Sequence, residues 1–127
     1  MKEFKFSTSE GDYTIHSLSM LIGDDLLTCI WGGTQPHIGA VAVALPRPSI
    51  AEPSVTSSTS SVFTFVGHKE DEVVKMVSET LSARLNRKVV AAAGIHWDHI
   101  DEDAIAQIME NCTVLAEKIG DAVEREG

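Results

Sequence analysis

Cysteine is scarce in this chain. Only Cys29 and Cys112 occur among 127 residues, with no CxxC pair between them. That excludes a small secreted scaffold stapled by disulfides and leaves two buried free thiols as the expectation, as suits a reducing cytoplasm. Positive charge is also short. Ten Lys and Arg stand against nineteen Asp and Glu, giving a net charge of -9. No basic run exists, so a duplex nucleic-acid binder and an anionic membrane surface are both disfavoured. No apolar run approaches the roughly 20 residues of a membrane span. The opening Met1-Lys2-Glu3-Phe4-Lys5-Phe6 lacks the apolar core of a signal peptide. A cytoplasmic protein is the expectation. Chemical signatures are missing too. There is no GxSxG elbow, no GxxxxGK[ST] loop and no HExxH pair, so the sequence offers no positive support for a hydrolase, a P-loop or a zincin.

What is there is an ordinary globular balance, 43% hydrophobic and 23% charged. The length fits a single domain over 1–127, able to bury about two-thirds of its unfolded surface. Phe4-Lys5-Phe6 alternates, Gly11-Asp12 marks a turn, Tyr13 to Ile22 reads as a strand, and Gly23-Asp24-Asp25 turns into a third strand, Leu26 to Trp31. Short strands separated by Gly/Asp turns describe an antiparallel meander. Ile38 to Leu45 is apolar throughout, as expected of a central strand covered on both faces, and Pro46-Arg47-Pro48-Ser49 ends it. Positions 54–61 are almost all hydroxyls. They read as a flexible linker or, more sharply, as a loop that orders over a ligand. Val62 to Val66 is a fifth strand.

Val73, Val74, Met76, Val77, Leu81 and Leu85 recur at helical spacing. Val89 to Ile95 is a short apolar run that again reads as a buried central strand. Asp101 is a plausible N-cap for a last helix that buries Ile105, Ile108, Met109, Cys112, Leu115, Ile119 and Val123. The order is β-β-β-β-β-α-β-α. That predicts an α+β fold, a largely antiparallel sheet of about six strands with two helices packed on one face.

The stretch Trp31-Gly32-Gly33-Thr34-Gln35-Pro36-His37-Ile38-Gly39 organises the chain. Gly and Pro make it poor helix and poor strand. A Gly-rich connection between strands normally reads as a hairpin. This one is longer than a hairpin needs, and it carries His37 where a strand begins. A polar group on a loop held by a sheet is a common way to build a site. Gly67-His68-Lys69 follows a strand and opens a helix, where free N–H groups and the helix dipole stabilise an anion. His37, His68, His96 and His99 are the candidate metal set, and a site built from His37 and His68 across adjacent strand ends is one reading. His96 and Asp98 can share a strand face. His16 reads as a structural or exposed histidine.

Taken in order, Gly32 to Gly39, Pro46-Arg47-Pro48-Ser49, the Ser/Thr stretch leading into Val62, Gly67-His68-Lys69-Glu70 and Ala93-Gly94-Ile95-His96 resemble the prenylated-flavin chaperone family of bacteria and archaea. Its members look like the accessory D-type subunit of gallate decarboxylase. Its domain is similar to a proteasome assembly chaperone and is usually dimeric. The likeness spans nearly the whole chain, and its motifs are specific as an ordered set and weak singly. It implies a non-catalytic homodimer that binds prenylated FMN, or its reduced form. Such a protein delivers or matures the cofactor for a partner decarboxylase, with a flavin prenyltransferase as a second partner. The motif positions are Gly33, His37, Arg47, Gly67, His68, Lys69 and His96. Gly67, His68 and Lys69, with Arg47, would hold the phosphate. His37 and His96 would face the ring system or a divalent ion, over an apolar floor of small residues from Ala40 to Ala44. Two rival readings stand beside it: a ligand-free assembly protein, and a small metal-dependent enzyme using the histidines.

Overall fold

The computed structural model of the protein describes residues 2–65 and 70–126. Its strands are β1 (Glu3–Thr8), β2 (Ile15–Ile22), β3 (Asp25–Gly33), β4 (Ala40–Pro48), β5 (Thr56–Thr64) and β6 (Val89–His96). Its helices are α1 (Glu70–Leu85) and α2 (Glu102–Glu126). The α+β architecture and the β-β-β-β-β-α-β-α order match the sequence expectation. The six strands form one sheet in the order β1-β2-β3-β6-β4-β5. All pairs are antiparallel except β3 with β6. β6 therefore inserts between β3 and β4. The connection from β3 to β4 is not a hairpin but a bridge across a whole intervening strand, which is why its loop is long.

Both helices pack on one face. Ile15, Leu26, Ile30, Ala40, Ala42, Val89, Ala91 and Ala93 point inward from the sheet. They meet Val73, Val74, Val77 and Leu81 of α1 and Ile108, Cys112, Leu115, Ile119 and Val123 of α2. Asp101 caps α2, its Oδ1 accepting the Ala104 N–H at 2.8 Å. The buried Asn111 donates to the Glu10 and Tyr13 carbonyls at 3.0 and 2.7 Å, tying the short 3-10 turn Glu10–Asp12 to α2. Cys29 and Cys112 are free, and burial pushes the Cys112 thiol up to about 12. No helix among the described residues is long and apolar enough to cross a membrane.

The structure corrects two sequence readings. The Ser/Thr stretch is neither linker nor lid. Thr56 to Thr64 pairs in register with β4 along its whole length. Alternation explains the composition: Ser58 and Ser60 face α1, donating to the Glu79 carbonyl at 2.8 Å and its carboxylate at 2.6 Å. Thr59, on the opposite face, accepts Arg47 Nε–H at 2.6 Å. Three of the hydroxyls of this edge strand, on its two faces, thus find polar partners. The second correction concerns β4 and β6, which are covered on one face only. Ala40, Ala42 and Ala44 are buried, while Val43 and Leu45 are exposed on the side away from the helices.

Arg84 joins the helices at their C-terminal ends, with Asp121 at 2.5 Å and Glu124 at 2.7 Å. The hydrogen bond from Arg84 holds the Glu124 carboxyl below its ordinary value of 4.5. A carboxyl lowered on folding adds stability above its unfolded pKa and loses it as pH falls through the folded one. Arg84→Ala is therefore expected to lower Tm at pH 7. The gap from wild type should narrow as pH falls below 4.5 and shrink at about 1 M salt, where exposed pairs are screened. Parallel thermal melts check this.

Candidate functional site

The site is built where the long loop crosses β6. Leaving β3, the chain turns at Gly33, whose φ is +89°. A side chain there would collide with the His96 carbonyl. Thr34 N–H donates to that carbonyl at 2.8 Å. The loop then runs over Gly94. A Cβ at Gly94 would occupy the space of the His37 carbonyl. Gly39 N–H closes the crossing by donating to the Ala93 carbonyl at 2.8 Å. The crossing is possible because β6 carries a glycine at that point.

His37 is pinned at both nitrogens. Its Nδ1–H donates to the Gln35 carbonyl at 2.9 Å, and Nε2 lies 3.1 Å from Glu70 Oε1. Glu70 is 4% exposed. The same oxygen accepts the Ile95 N–H at 3.3 Å. Glu70 thus joins the start of α1, the end of β6 and the crossing loop. A buried carboxylate was not among the residues singled out from sequence, where Glu70 reads as one more acid in a helix first turn.

Gly33, His37 and His96 are brought to one end of the sheet. His96 ends β6 opposite Gly33 and pairs through Nε2 with Asp98 Oδ1 at 2.9 Å. Arg47 is not brought there. It sits near the far end of β4, seven residues beyond Ala40, a separation of roughly 23 Å along a strand. Gly67, His68 and Lys69 lie outside the described residues. The first turn of α1 already carries Glu70, Asp71 and Glu72, negative charges that themselves complement the helix dipole. Ala40, Ala42 and Ala44 do not form a ligand floor, because they are buried under the helices. Among the described residues no three His, Cys, Asp or Glu side chains converge on a metal-sized point. His99, with φ +56°, lies in the β6–α2 connection.

Three clefts meet at Trp31. One of about 420 Å³ lies between the indole and the Pro36–Ile38 segment, over Cys29 and Ala92. A second, of about 320 Å³, is lined by Gly32, Gly33, Thr34 and Trp97. A third, of about 380 Å³, runs toward Lys5, Ser7 and His16. Each falls in the size range of small-molecule sites, about 300–1,000 Å³. A smaller cleft of about 180 Å³ opens on the helix side, lined by Ile95, Trp97, Ile105 and Met109. On the open sheet face His16 stacks on Trp31, with ring centroids 5.7 Å apart and planes at 29°. Its Nδ1 pairs with Ser7 Oγ at 2.8 Å.

The architecture, a six-stranded sheet with two helices on one face, has a solved counterpart. It is similar to a chain in the crystal structure of a chaperone complex for yeast 20S proteasome assembly, with a TM-score of 0.54, 16% identity, and 99% of this chain and 98% of that one covered. At that identity the likeness speaks for the fold. Sequence narrows it further. The chain belongs to the prenylated flavin chaperone LpdD-like family, which matches residues 9–124. It is 30% identical over 101 residues to the protein LpdD of Lactiplantibacillus plantarum, covering 80% of this chain and 71% of that protein.

Proposed function

We propose that this chain, acting as a single-domain chaperone without catalysis of its own, binds prenylated FMN or its reduced form as cargo. It presents that cargo to a prenylated-flavin-dependent decarboxylase in the cytoplasm, receiving it from a flavin prenyltransferase. Membership of the LpdD-like chaperone family supports the class of cargo. The carrying observation is the crossing loop, which sets Gly33 and His37 each beside a cleft of a size to take a flavin ring system, with His96 at the end of β6 opposite Gly33. A carrier must hold its cargo and let it go. Clefts open at the sheet face suit that better than an enclosed pocket. The phosphate is assigned to Gly67, His68 and Lys69 on the sequence reading. The test is transfer. Protein loaded with prenylated FMN should activate an apo-decarboxylase faster than free cofactor at equal concentration. Equal rates would remove the delivery role.

The working unit is a homodimer packed through the open sheet face. Val43, Leu45 and Phe63 are exposed there, Leu45 by 51% and Phe63 by 66%, and Leu27 and Val90 share the same side by register. Contiguous apolar surface of this extent marks an interface. Six strands of this length project roughly 600 Å² as a flat face. Side-chain relief brings that to the order of 800 Å² per partner that stable interfaces bury. The Trp31 clefts then lie at the interface rim. Leu45→Lys is expected to convert the dimer to monomer in sedimentation velocity, and an unchanged dimer would place the interface elsewhere.

A further inference from the structure

The geometry points to Trp31 as the platform on which the planar ring of the cargo stacks, with His16 as its buttress. The inference deepens the cofactor reading and rests on it. Trp31 and His16 face each other across β2 and β3, on the face away from the helices. The indole borders three separate clefts. His16 lies against it at 29°, and Ser7 fixes the imidazole through Nδ1. One flank of the indole is therefore held by stacked protein. The other borders the cleft under Pro36, His37 and Ile38, whose floor is Cys29 and Ala92. Beyond that floor Gly94 lies under the His37 carbonyl, so the crossing loop closes the slot at that end. A slot with an indole wall, a backbone wall and a floor of small residues fits a flat polycyclic ring. An electron-rich indole prefers an electron-poor heteroaromatic over an aliphatic chain, because offset stacking brings ring faces of opposite polarity together. The isoalloxazine ring is of that class. Small floor residues also leave depth for an apolar ring fused to its edge.

Stacking of a heteroaromatic base on an aromatic side chain contributes about 1–3 kcal/mol, which corresponds to about five- to 150-fold in affinity. Trp31→Leu should weaken binding by that factor for both oxidised FMN and prenylated FMN. Trp31→Phe should retain most of the affinity, and His16→Ala should lose only a few-fold. The wild-type complex with oxidised FMN should show long-wavelength charge-transfer absorption from indole on flavin. That band should be absent in Trp31→Phe even though binding persists. Circular dichroism confirms that each variant is folded, and the band in the folded Trp31→Phe protein remains decisive if Trp31→Leu fails to fold. Wild-type affinity and an unchanged spectrum in folded Trp31→Phe and Trp31→Leu would overturn the platform and leave the carrier reading standing. Failure of wild-type protein to bind either flavin would overturn both.

Discussion

Gly94→Ala is expected to cost roughly 3 kcal/mol of stability, the upper end for overpacking at a tight site, and to abolish cargo binding. The methyl group would fall on the His37 carbonyl. Backbone cannot swing aside as the end of a long side chain can. The loop must lift from β6, and with it go the Thr34 and Gly39 hydrogen bonds on either side. His37 then leaves Glu70, and the wall facing Trp31 opens. Urea denaturation reads the stability, and titration with prenylated FMN reads the site. A variant as stable as wild type that still binds would mean that the loop does not depend on the bare backbone at Gly94.

The second large effect belongs to the His37–Glu70 couple. His37→Ala removes the imidazole 3.1 Å from a carboxylate that is 4% exposed. Taking one hydrogen-bonding partner from a buried polar group costs about 1–3 kcal/mol. Glu70→Gln keeps an acceptor for the Ile95 N–H and should cost less, about 1–2 kcal/mol. Glu70 joins α1, β6 and the loop, so the two substitutions should not add. A double-mutant cycle should give a coupling of about 1–2 kcal/mol. Additive losses would show that the two residues act separately. His37→Ala should also weaken cargo binding while leaving the far end of β4, around Arg47, unchanged by hydrogen exchange.

Much of this fold is legible in the residues, because local physics decides it. The stripe from Val73 to Leu81 is a helix face, Asp101 is a cap, and the strands keep their order. Pairing is harder to read. Nothing local says that β6, made after α1, slots between β3 and β4, since that choice is settled by non-local burial. Yet the trace is present. The connection is too long for a hairpin, and Gly94 sits in a run otherwise suited to a strand. The Ser/Thr stretch misleads because its partners, Glu79 and Arg47, are distant in sequence. Without them, a row of hydroxyls reads as loop.

The site divides in the same way. Gly33, His37 and His96 stand out as residue types at strand ends, and the fold brings them together. Arg47 shares their motif but not their end of the sheet. Trp31 opens the very stretch that organises the chain, yet it reads as a strand residue until register places His16 opposite it. Glu70 is hidden among acids at a helix start until burial sets it apart.

The central claim is that this chain carries prenylated FMN, and one preparation tests it most directly. The protein is co-expressed anaerobically with a flavin prenyltransferase, purified, and examined by visible absorption and mass spectrometry. The account predicts prenylated FMN at stoichiometric occupancy, lost in Gly94→Ala. A colourless wild-type protein that still binds its partner decarboxylase would contradict it.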